Sequence, residues 1–189
     1  MTAITNTTRN GIDVAQVYGT LDAIAADPSL ARFEFRVSNR WITGTHSRST
    51  IQGFHGAGQE DASREQPFVV DASEPPVLLG HNEAPNPAEL LMHALAGCLT
   101  LTIVNVAAAR KVTLTEVTSR LEGELDARGA LGLDDSIRNG FHRLSVAFTV
   151  RGEASPEKLQ EIVERAKARS VVYDIVSNGV PVDVIAEVG

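Results

Sequence analysis

What the sequence lacks narrows the field first. It holds one cysteine, Cys98, in 189 residues. A lone thiol closes no disulfide within the chain and builds no cysteine-based metal site, and it suits a reducing, cytoplasmic compartment. His46, His55, His81 and His142 are scattered without ligand spacing, so no metal is expected. No GxGxxG, phosphate loop or HExxH is present, and no cofactor is implied. Basic residues are the minority, 17 Lys and Arg against 24 Asp and Glu, for a net charge of -7. That balance argues against nucleic acid and anionic membrane surfaces as partners. The opening MTAITNTTRNGID lacks the apolar segment of a signal peptide.

The sequence does have one long apolar run, residues 84–111. Asn86 and Pro87 read as N-cap and first helical residue. From Ala88 to Ala109 there is no proline and one glycine, Gly97. Apolar residues fall on every face, the pattern of a helix buried in a core or a membrane. Glu89, His93 and Asn105 break the run, so the expectation is a buried central helix and not a membrane span. Arg110 and Lys111 close it, where cations suit the helix dipole.

At this length the chain is one large domain, or one with an elaborated terminus, able to bury a core unaided. Residues 1–10 read as a loose tail, and 11–26 as a short helix ended by Asp27-Pro28. Alternation predicts a strand from Phe33 through Ile42, a turn at Thr43-Gly44-Thr45, and a second strand from His46 to Phe54. Residues 56–66 read as loop, 67–71 as a third strand and 74–80 as extended loop. After the helix come strands over 114–125 and 141–150, separated by a long connection. Ser155-Pro156-Glu157 starts a helix that runs to about Arg169. Residues 170–176 read as a connection, with room for a further helical turn. Residues 180–185 read as a closing strand, whose Pro181 places it at an edge. The order is α+β, not a doubly wound parallel sheet.

The stretch Asn86-Pro87-Ala88-Glu89-Leu90-Leu91 with Ala94-Leu95-Ala96-Gly97-Cys98 resembles the osmotically inducible protein and organic hydroperoxide resistance (OsmC/Ohr) superfamily. Three further stretches carry the likeness: Glu74-Pro75-Pro76 with Leu79-Gly80, Leu125 to Gly129 with Leu133, and Ser170 to Asp174 with Val180-Pro181-Val182. The likeness covers about residues 31–186, so the expectation is a single domain over 31–189 behind an N-terminal extension over 1–30. The resemblance implies an intertwined homodimer with strands wrapped around a long buried central helix. It also implies thiol peroxidase chemistry. A cysteine aligned with Cys98 attacks the peroxide, a second cysteine condenses with the sulfenic acid, a hairpin arginine steadies the thiolate, and a helix glutamate orients that arginine. The sequence departs twice. The second cysteine's position falls at about Ser170. The glutamate's falls at about Ala88, with Glu89 one residue, or about 100° of rotation, further on.

Each candidate has two readings. Cys98 is a peroxidatic nucleophile or a small buried hydrophobe, since free thiols are often buried and inert. The cation is Arg48, with Arg40 as the alternative, or each is a surface arginine in an acidic protein. Glu89 orients the arginine, or it pairs with His93 one turn away. Three functions follow. One is an organic-hydroperoxide reductase in oxidative-stress defence, resolved by an external thiol. The second is a module binding a small apolar ligand, and the third a redox sensor.

Overall fold

The computed structural model describes residues 8–189, and most of the expected tail over 1–10 lies outside them. The described chain forms two compact units. Of the described residues, one holds 8 and 13–93, the other 9–12 and 94–189. At the described N-terminus β1 (Thr8–Arg9) and β2 (Ile12–Asp13) form a hairpin. Its two turn residues, Asn10 and Gly11, both have positive φ, the combination a tight hairpin turn requires.

In the first unit Asp13 caps α1 (Val14–Ala26), its carboxylate accepting from the N–H groups of Ala15 and Gln16. Six strands follow: β3 (Glu34–Phe35), β4 (Ser38–Thr43), β5 (His46–Ile51), β6 (Phe54–Gly56), β7 (Gln59–Asp61) and β8 (Phe68–Ala72). They make two antiparallel sheets, ordered β3-β6-β7 and β4-β5-β8. The expected β4–β5 hairpin is present, but β7 lies where the sequence reads as loop. The segment after β8 is tied at its base. Ser73, buried, donates its hydroxyl to Glu83 at 2.5 Å and its N–H to the Pro85 carbonyl at 3.2 Å. Gly80 packs on the Glu74 backbone so closely that a Cβ would lie 1.8 Å from the carbonyl oxygen.

Helix α2 (Pro87–Ala109) matches the sequence expectation, and its length from Ala94 onward belongs to the second unit. It is followed by β9 (Leu114–Glu124), α3 (Ala127–Ala130), β10 (Arg143–Gly152), α4 (Pro156–Lys167) and α5 (Val171–Asn178). Strands β9 and β10 pair antiparallel, and β10 alternates exposed and half-buried along its length. Ile103, Val106, Ala107 and Val112 pack with Ile162 and Ala166 of α4, and Phe148, Val150 and Leu159 complete the cluster. Arg9 and Asn10 clasp the turn after α2. Arg9 donates to the Lys111 carbonyl at 2.6 Å, and the Asn10 side chain bridges the Val112 carbonyl and the Leu114 N–H.

Three expectations are corrected. Only one stripe of α2, Leu95, Leu99, Ile103, Val106, Ala107 and Ala108, is buried. Leu101 is 67% exposed, because a two-stranded sheet and α4 cover one face of a helix and no more. The stretch from Ser170, read as a connection with room for one further turn, is a two-turn helix, since the Ser170 hydroxyl caps it. Residues 180–185 form no strand. Gly179, at φ 75, turns the chain out of α5, and Pro181 lacks an N–H to donate. By length and composition α2 matches a membrane span, but its stripe lies in the core, as a buried central helix requires.

Ile162 is fully buried between α2 and α4. Ile162→Ala should therefore destabilise the protein by roughly 2–5 kcal/mol, read from the midpoint of urea unfolding.

Candidate functional site

The second unit brings two helices together at one sulfur. Cys98 lies on α2, half-buried, one residue before the core residue Leu99. Ser170 caps α5 and is 2% exposed. The Ser170 hydroxyl donates to Cys98 Sγ at 3.1 Å and accepts the Tyr173 N–H at 3.2 Å. The position expected to lack a second thiol is thus in contact with the first. Burial pushes the Cys98 thiol up. Hydrogen bonds from Ser170, then from the backbone N–H groups of Val172 and Val171 and from Thr102, outweigh it, so the thiol lies below its ordinary range. The Thr102 hydroxyl also donates to the Cys98 carbonyl at 2.7 Å. The N–H groups at the start of a helix carry partial positive charge, which favours an anion there.

Sequence reasoning looked for a cation beside Cys98 and missed the start of α5. The signal was present. Ser170 stands directly before Val171, Val172, Ile175 and Val176, an apolar pair repeated four residues on, which is helical spacing.

Arg48 and Glu89 lie in the first unit. Arg48 grips Asp71 with two hydrogen bonds, 2.7 and 2.8 Å, because β5 and β8 place the two residues directly opposite. His46 Nε2 also approaches Asp71, at 3.2 Å but without hydrogen-bond alignment. The hydrogen bond from Arg48 holds the Asp71 carboxyl well below the usual range. Arg40 faces Arg48 across β4 and β5, so Asp71 offsets a like-charge pair. Glu89 is the second half of a capping box. Its carboxylate accepts the Asn86 N–H at 2.8 Å, and the Asn86 side chain accepts the Glu89 N–H at 3.0 Å. Within this unit the carboxylate on Arg48 is therefore Asp71. Glu89 serves the helix start and pairs with Asn86, where His93 was expected.

A cavity of about 870 Å³ opens in the second unit between α2, α4 and the β9–β10 sheet. Leu99, Ile103, Phe148, Leu159, Val163 and Tyr173 give it an apolar wall, and Arg151 and Lys167 add cations. Leu99 adjoins Cys98 in the chain, and Tyr173 donates its N–H to Ser170. Among the described residues no group of His, Cys, Asp and Glu is arranged to hold a metal ion.

Comparison with known proteins gives the following. A family model described as OsmC-like protein matches residues 80–185. No curated protein gives a significant match. The fold is similar to an OsmC like protein from Mycoplasma pneumoniae, at 12% identity over 77% of this chain and 88% of that one, with a TM-score of 0.56. It is also similar to an OsmC-like protein of unknown function from Vibrio cholerae, at 15% identity over 76% of this chain and 94% of that one, with a TM-score of 0.52. At such identities the likeness is one of fold.

The lowered thiol sets a sign for stability. An acid depressed in the folded state stabilises it fully above the unfolded value, about 8.5 for cysteine, and loses that contribution as pH falls through the folded value. Under reducing conditions the stability of the wild type relative to Cys98→Ala should rise with pH across that window. Urea unfolding of both proteins at several pH values measures it, and a flat or opposite trend contradicts the lowered thiol.

Proposed function

The chain belongs to the OsmC-like family, and from that premise we propose that it is a one-cysteine, thiol-dependent reductase of organic hydroperoxides. The observation that carries this reading is the Cys98 sulfur, half-buried and met by the donors at the start of α5. A thiolate is the nucleophile in such chemistry, and donors that favour it make Cys98 competent.

The Cys98 thiolate attacks the terminal oxygen of ROOH. The O–O bond breaks, its electron pair leaves with RO, and the hydroperoxide's own proton completes ROH. Sulfur is oxidised by two electrons to the sulfenate. With no second cysteine in the chain, an external thiol R′SH and a proton convert the sulfenate to a mixed disulfide and water. A second R′SH releases Cys98 and R′SSR′. The apolar cavity beside Leu99 favours hydrophobic peroxides over hydrogen peroxide. The proposal keeps Arg48 as the cationic partner and assigns its orientation to Asp71, the carboxylate it grips, in place of Glu89. The protein acts in the cytoplasm as a homodimer. The apolar residues that α2 leaves uncovered, Leu101 foremost, support self-association.

The same cavity favours a second reading, a module that binds a small apolar ligand without turnover. Native mass spectrometry of gently purified protein tests it, and protein that is always empty counts against it.

The deciding experiment follows consumption of cumene hydroperoxide with a dithiol as reductant. Cys98→Ser should abolish it. Arg48→Ala should lower it about ten- to a hundredfold, the loss of one charge-assisted partner. Undiminished consumption by Cys98→Ser ends the peroxidase reading.

A further inference from the structure

The contact between Cys98 and Ser170 carries more than a missing thiol. We propose that Ser170 is a positioning residue that aims its hydroxyl proton at the Cys98 sulfur. It holds first the thiolate and then the sulfenate at the place from which a second cysteine would attack. The sulfenate half of this statement rests on the peroxidase reading. The thiolate half does not.

The argument starts from the hydroxyl's inventory. A serine hydroxyl has one proton and two lone pairs. The Tyr173 N–H, fixed by the first turn of α5, takes a lone pair at 3.2 Å. The hydroxyl donates its proton to Cys98 Sγ at 3.1 Å. Ser170 is 2% exposed, so bulk water has little access to the hydroxyl. The cap therefore fixes the direction of the donor. A donor so fixed favours an acceptor, and both S⁻ and S–O⁻ accept. The N–H groups of Val171 and Val172, in the first turn of the same helix, also lower the thiol. The charged groups Lys167 and Asp174 on the flanking turns have partners of their own. Lys167 lies over the Tyr173 ring at 5.6 Å, and Asp174 accepts from Asn178 at 2.8 Å. The apolar cavity, a separate feature, has residues tied to both partners in its wall, Leu99 and Tyr173.

The consequence is chemical. A cysteine at this position would condense with the sulfenic acid and release water, leaving an internal disulfide. Serine keeps the hydrogen bond and cannot form that bond. The oxidised protein therefore waits as a sulfenate until a thiol arrives from solution.

Four substitutions at Ser170 test this in the whole chain. The first readout is the pH profile of iodoacetamide alkylation, which needs no peroxide. Ser170→Ala should move the thiol midpoint up and slow alkylation near pH 6.5 by roughly tenfold or more, the loss of one hydrogen bond to a charged group. Ser170→Gly removes the hydroxyl but leaves a residue that still suits the helix cap, and should shift the profile likewise. Ser170→Thr restores the hydroxyl and should restore the profile. A role in capping alone would leave all profiles alike. The second readout is dimedone labelling after one equivalent of cumene hydroperoxide. The wild type should label, whereas Ser170→Cys should lose the label and both free thiols. An unshifted profile in both Ser170→Ala and Ser170→Gly, or a Ser170→Cys protein that still labels fully, overturns the proposal. A wild type that consumes no peroxide, beside variants with shifted profiles, removes the peroxidase reading and leaves the thiolate assignment standing.

Discussion

The second unit depends on one contact surface, the stripe of α2 that meets α4. Ile103 and Ala107 on one helix pack with Ile162 and Ala166 on the other, all four fully buried. The two alanines let the backbones approach, and each isoleucine contributes about 1.5–3 kcal/mol by leaving water. This packing fixes where α4 ends. Ser170 follows within three residues of Lys167, the last residue of α4, so the position of the sulfur's hydrogen-bond donor is set by core packing between helices. The site is thus assembled on rigid elements.

Charge is handled differently in the two units. In the first, Arg48, Arg40 and Asp71 form a row across three strands, and the arginine's charge is answered by a carboxylate at hydrogen-bond distance. In the second, every partner that lowers the Cys98 thiol is neutral: a hydroxyl, two backbone N–H groups and a second hydroxyl. Neutral dipoles that are already ordered favour an anion without bringing a countercharge, and salt screens such short-range contacts weakly.

Most of the element order was legible from the sequence, and the reasons are local. Helix α2 was bounded correctly because Asn86, Pro87 and Glu89 are its own start signals, and Arg110 and Lys111 its stop. Helix α4 was legible through Ser155 and Pro156, and its stripe of Leu159, Ile162, Val163 and Ala166 is the one the structure buries or half-buries. Strand β10 was legible through its period of two. The misreadings are not local. Whether 180–185 forms a strand depends on a neighbouring edge, and how much of α2 is buried depends on which of its faces are covered, so Leu101 stays exposed.

The sequence by itself determined the kinds of chemistry open to this protein. One thiol excludes an internal disulfide, an acidic balance disfavours nucleic acid, and the motif around Cys98 indicated the family. Only the tertiary structure decided the partners. It gave Arg48 to Asp71 through strand register and Glu89 to the cap of its own helix. It also brought Ser170 from 72 residues away to the sulfur. The physical reason is that a helix or a strand is written in residues a few positions apart. A hydrogen bond between two helices depends on how their buried faces pack, and no short stretch of sequence contains that information.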